Sequence, residues 1–380
     1  MSVFLKRMFV ASLLLILAIS YTSVAQEELE EQSLLLTFIP NIQFAPAYVG
    51  LELGLYEAAG YEVDLQYLDE PQVADLVASN INQFGVISGE QVIVAVSQGR
   101  PLVYVYEWFQ QFPIGIVYSS DVDVESIEDL ADVRIGIPGP FGATYSGLIA
   151  LLNSAGLDIA DIEIDNIGFS APEVFCVGGV DASVIYVNNE PLQIANRAQN
   201  GDCGDVTDIS VLPIGEVLNL VSNGIITNQQ TIDENPELVA TFVDIWDQSL
   251  QLTINNPARA YLLSAPYIEG LTLGDDFQVA LETLATEQEI FLTDNPSPED
   301  IAESRLAQFA TLSEMFDSAT LLQFQVLLAT IDLWDAEQLG FSDTESWVNM
   351  QETLISLGLL DDAADVETFF TNDFLPDGDE

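Results

Sequence analysis

Along the first half of the chain, short apolar segments of strand length alternate with stretches of helical period, and that alternation is consistent with α/β layering. Residues 33–39 (SLLLTFI) read as a first buried strand, and Pro46 opens a helix whose apolar side runs Ala47, Leu51, Leu55, Ala58. Gly60 ends it. Further strands are predicted over 63–67, 84–87, 102–107, 134–137, 162–168, 180–186 and 220–227. Helices are predicted over 71–79, 88–97, 144–155 and 192–199, with a capping box at Ser126 and Asp129. Strands joined through helices imply parallel sheets. Beyond Pro236 the pattern turns helical, over 236–255, 257–265, 276–284, 298–315 and 344–357.

The strands group into two units. The chain leaves the first near residues 113–118 and returns to it near 218–226, giving a lobe over 33–115, a second over 116–220, and a return with C-terminal helices over 221–380. Two crossovers between lobes make a hinged cleft. Ligands of open α/β sheets sit at the carboxyl ends of strands, beside helix N-termini. Four loops meet that rule: 40–46, 88–91, 139–145 and 186–190.

Charge narrows the class of partner. Sixty-one Asp and Glu face seven Lys and Arg, with no His, for a net charge of −54. Such a surface repels nucleic acid and anionic membrane. It suits an exported protein in a salty medium, although compositional drift is a simpler account. Lys6 and Arg7 precede an apolar run from Met8 to Ile19, followed by Ser23-Val24-Ala25, so residues 1–25 read as a signal peptide. Residues 26–32 (QEELEEQ) then form an acidic, mobile leader. Removing the signal peptide leaves Arg100, Arg134, Arg197, Arg259 and Arg305 as the cationic side chains. In an oxidising compartment Cys176 and Cys203, the two cysteines of the chain, are expected to bond; two separate thiols are the alternative.

Several segments, in order, resemble a known family. Pro40-Asn41-x-x-x-Ala45-Pro46-x-Tyr48, then Gly54-Leu55-Tyr56, Phe84-Gly85-Val86, Gly139-x-x-Gly142, Ile167-Gly168-Phe169 and Tyr186-x-Asn188-Asn189-Glu190-Pro191 are similar to binding proteins related to thiamine-pyrimidine synthase. The resemblance runs over about residues 34–376. It implies a type II periplasmic-binding-protein fold, an ABC importer permease as partner, and a thiamine precursor, riboflavin or alkanesulfonate as ligand. Ile167-Gly168-Phe169 and Asn188-Asn189-Glu190-Pro191 look most like the riboflavin-binding branch. Thiamine-pyrimidine binders commonly carry a histidine before Ala-Pro; here Phe44 stands there, which favours stacking on a larger flat ligand.

Candidate binding residues follow from the four loops and their surroundings. Phe44, Tyr48, Trp108, Phe141, Tyr145, Phe169 and Tyr186 are rings able to sandwich a flat ligand, though each serves equally well as core. Asn41, Glu90, Asn189 and Glu190 offer amide and carboxylate groups to a heterocycle edge; capping the helix at Pro191 is the plainer role for Asn189. The loop 139–144 offers backbone N–H groups and the Thr144 hydroxyl, or is an ordinary turn. The residues suggest no metal site and no cofactor.

The expected protein is therefore a monomeric, extracytoplasmic binder of a small planar ring, riboflavin first and an aminopyrimidine second. An enzyme of the thiamine-pyrimidine synthase type is the rival of another class. That chemistry rests on a Schiff-base lysine, and the sole lysine is Lys6, within the expected signal peptide.

Overall fold

The computed structural model describes residues 29–376, apart from positions 123, 217 and 272. The expected signal peptide and the first part of the acidic leader lie outside the described residues. Among the described residues ten strands, β1 (Glu30–Thr37), β2 (Tyr61–Leu68), β3 (Phe84–Ser88), β4 (Leu102–Glu107), β5 (Ile114–Ser119), β6 (Ile135–Ile137), β7 (Ile164–Asn166), β8 (Ala182–Tyr186), β9 (Ile209–Pro213) and β10 (Asn223–Asn228), form two sheets. Their orders are β2-β1-β3-β10-β4 and β7-β6-β8-β5-β9.

β1 begins at Glu30, so residues 30–32 of the expected leader belong to the sheet: Glu30 registers with Tyr61 of β2, and Gln32 is buried. Acidic side chains hid this end of the strand: residues 30–33 pair with β2 alone, β3 joining only at Leu34 and Leu35, and a strand end open on one side tolerates charge.

The sheets are mixed rather than parallel. β10 runs antiparallel to β3 and β4, and β5 antiparallel to β8 and β9. The cause is the crossover. β4 ends at the cleft and β5 starts there; β9 ends at the cleft and β10 starts there. A strand arriving from the neighbouring sheet enters at the end where the others finish, and so runs against them.

A large apolar core joins the first sheet to the C-terminal helices, among them Pro236–Asn255 and Ser318–Trp334. The second of these helices is absent from the sequence reading. Its segment, SATLLQFQVLLATIDLW, is apolar on most sides, and a helix without a polar face shows no amphipathic period. The tail returns beside β4, where Thr371 N donates to Tyr104 O. Cys176 and Cys203 are bonded, with Cα atoms 4.1 Å apart, inside a small core of the second unit. No helix among the described residues is long and apolar enough to cross a membrane.

Candidate functional site

The carboxyl ends of the two sheets face one another across a narrow cleft of about 850 Å³, mouth included. Phe44, Trp108, Phe141, Thr144, Phe169, Tyr186 and Glu190 line it, as the sequence predicts. Asn41, Tyr48, Glu90, Tyr145 and Asn189 do not. Asn41 caps the turn Ile42–Phe44 by accepting from Gln43 N. Tyr48 is fully buried, with its hydroxyl 2.7 Å from that of Tyr67 and its ring stacked on Tyr267. Tyr145 packs against the core beneath the helix Gly142–Ser154. Asn189 donates to Glu190 Oε1 and accepts from Gln193, supporting a wall residue from behind.

Trp108 forms the floor rather than an exposed platform. It is 2% exposed and sits among Phe44, Phe109, Trp246 and Trp334, yet its indole Nε1 is buried without a partner. Phe38 and Phe169 meet at the cleft from opposite sheets.

A carboxyl pair spans the wall, with Glu70 in the lining and Glu90 behind it. Ser88 Oγ is 2.6 Å from Glu70 Oε2 and 2.5 Å from Glu90 Oε1. A hydroxyl has one proton to give, so the second contact needs a proton carried by a carboxyl. Burial pushes both carboxyls up, and Glu70 raises Glu90 further. Burial likewise raises Glu190 to about 7, although it accepts from Tyr186 N and Asn189. The same three carboxyls, after burial itself, hold the Tyr186 phenol well above its usual range; its hydroxyl donates to Asn223 Oδ1 at 2.7 Å.

Gly142 is required where it stands. Its φ is +74°, and a Cβ there would fall 3.2 Å from the Glu70 carboxylate. No arginine among the described residues lines the cleft. The five arginines among the described residues pair elsewhere: Arg100 with Asp75, Arg134 with Asp165, Arg197 with Glu173, Arg259 with Glu289 and Arg305 with Asp335.

The sequence reading missed Gln43, Glu70 and Asn223. Glu70 follows β2 and opens the helix Glu70–Ala78, so the strand-end rule that selected the other loops also covers it. Asn223 begins β10, where an incoming strand rather than an outgoing loop meets the cleft.

Comparison with known proteins places this geometry. The family model described as "NMT1/THI5 like" matches residues 41–260. The chain belongs to this NMT1/THI5-like family. Among relatives of this NMT1/THI5-like protein, the riboflavin-binding protein RibY of Chloroflexus aurantiacus is 32% identical over 93% of this chain and 88% of its own. The formylaminopyrimidine-binding protein of Halalkalibacterium halodurans is 24% identical, over 65% and 74%. A 4-amino-5-hydroxymethyl-2-methylpyrimidine phosphate synthase of Legionella pneumophila is 23% identical, over 61% and 72%. The fold is that of periplasmic binding proteins: the aliphatic sulphonate binding protein SsuA of Escherichia coli superimposes with a TM-score of 0.51 at 16% identity, over 75% and 92%.

Proposed function

We propose that this chain is the extracytoplasmic solute-binding component of an ABC importer, and that riboflavin or a similar flat, uncharged heterocycle is its ligand. The observation that carries this reading is the lining: seven aromatic side chains and no arginine. A phosphate or sulfonate would need a cation or dedicated donors in so acidic a protein. A planar ring gains stacking energy from the rings instead. The similarity to a riboflavin-binding relative points the same way.

In this reading the two sheets with their helices act as lobes, the first over 33–115 and 221–380 and the second over 116–220, and they close on the ligand by hinge motion. The monomer, released from its signal peptide, then delivers the ligand to the permease. Titration calorimetry tests the ligand. Tight riboflavin binding with weak flavin phosphate and taurine is expected; tight binding of either anion with riboflavin inert overturns the assignment.

A second reading, an aminopyrimidine ligand, draws on Glu70 and Glu190, whose carboxyls line the cleft and suit an amino group. A formylaminopyrimidine-binding relative supports it. Mass spectrometry of the molecule that copurifies with the protein separates the two. Catalysis of the synthase type lacks a Schiff-base lysine beyond Lys6.

A further inference from the structure

A chain of three buried polar side chains runs from the C-terminal helices into the cleft, and its hydrogens can be assigned from distances alone. Thr330 Oγ1 lies 2.6 Å from the backbone oxygen of Val326. Two oxygens so close need a proton between them, and the carbonyl has none, so the Thr330 hydroxyl donates there. Its oxygen is then left only to accept. Asn188, in the loop after β8, approaches that oxygen at 2.7 Å and so faces it with its NH2 group. The same Nδ2 lies 2.8 Å from Gln43, which must therefore present its oxygen, Oε1.

The consequence falls on the other end of the Gln43 amide. Gln43 is 6% exposed and lines the cleft, and its backbone N–H is already held by Asn41 Oδ1 at 3.1 Å. With Oε1 committed to Asn188, the group left over is the NH2, and Nε2 donates to no protein atom among the described residues. A primary amide that could otherwise offer either a donor or an acceptor is thus fixed as a donor. The orphaned indole N–H of Trp108 is a second donor in the same lining.

We infer that Gln43 is a specificity-determining residue of the cleft, oriented by Asn188 and Thr330 so that its amide N–H groups select an acceptor atom, a carbonyl oxygen or unprotonated ring nitrogen, on the edge of a planar heterocycle. This rests on the binding reading above. Asn188 acts through Gln43 and is a positioning residue. A buried donor left unpaired is costly, so a ligand lacking the acceptor is rejected.

The test compares two probes, riboflavin, whose ring edge carries carbonyl oxygens, and an aminopyrimidine, whose amino group donates. Calorimetry is run at pH 9, above the value of about 7 to which burial lifts Glu190. Gln43→Glu keeps an oxygen for Asn188 but turns the cleft-facing donor into an acceptor. Asn188→Asp removes the donor that orients Gln43 and lets its amide turn over. Each variant is expected to shift the affinity ratio by about tenfold or more away from riboflavin and towards the aminopyrimidine, the scale for losing one matched hydrogen bond. An equal loss for both probes, or no change, overturns the inference while leaving the binding reading intact. If the wild type binds one probe alone, that probe decides: riboflavin weakened about tenfold, or the aminopyrimidine strengthened, supports the inference, and unchanged affinity overturns it. A folded wild type that binds neither probe removes the binding reading, and this inference with it.

Discussion

Phe38 and Phe169 meet edge to face, with ring centroids 5.0 Å apart and planes at 84°. One ring follows β1 in the first sheet and the other follows β7 in the second, so the pair bridges the cleft that both line. Phe38 holds this position with φ at 76°, in the left-handed region that a bulky side chain avoids.

That backbone strain has a measurable consequence. A left-handed residue with a Cβ costs about 1–2 kcal/mol, and glycine escapes it. Phe38→Gly should therefore be more stable than Phe38→Ala by about 1 kcal/mol in urea denaturation. An alanine variant as stable as the glycine one contradicts the strain.

Phe169 is 37% exposed, so removing its ring leaves little cavity. Phe169→Ala should melt within a few degrees of wild type while binding the ligand about 1 kcal/mol more weakly, the scale of one aromatic contact. Calorimetry with unchanged affinity rules this ring out as a ligand contact.

Buried carboxyls set the pH response. Glu190 is raised from 4.5 to about 7 and Glu107 to about 8, both mainly by burial, and Glu70 and Glu90 are raised with them. Each binds its proton more tightly in the folded chain than in the unfolded one. Stability is thus fully present below the ordinary carboxylate range and is lost as pH rises through the native values. The melting temperature should fall from pH 5 to pH 8. Glu90→Gln, whose amide can donate to Ser88 while Ser88 donates to Glu70, should flatten that slope. A slope unchanged in this variant shows that the pair does not titrate in the window.

The disulfide closes a loop with a sequence separation of 27, and Cys203 is fully buried while Cys176 is 5% exposed. Chain entropy puts its contribution at about 3–4 kcal/mol. Cys176→Ser with Cys203→Ser should lose that much in denaturant titration. In the native wild-type protein, thiol release should be slow, because reductant reaches the sulfurs only after local opening.

With −54 net charges and each described arginine already committed to one acid, repulsion among the remaining carboxylates is unrelieved in dilute buffer. Salt to about 1 M shortens the screening length to about 3 Å, and the melting temperature should climb steadily with it. A flat response removes the halophilic reading of the composition.

The sequence by itself determined the α/β class, the return of the chain to the first sheet in the 220–227 segment, the cysteine pair, and seven of the cleft residues. The class and the return rest on local signals such as apolar period and glycine and proline stops, most of the cleft residues on loops at strand ends, and the cysteine pair on there being two cysteines in an oxidising compartment. Strand direction was decided only in three dimensions, since β5 and β10 look like any buried strand until the crossover reverses them. The helix Ser318–Trp334 was hidden because burial on most sides removes the polar face that reveals period. The roles within the cleft came last. Trp108 became floor rather than platform because Trp246 and Trp334, far away in sequence, pack around it. Gln43 became a fixed donor because Asn188, itself oriented by Thr330, meets it from more than a hundred residues away. Which residue types are available is written along the chain. Which atom of an amide faces a ligand depends on partners that meet only when the chain has folded.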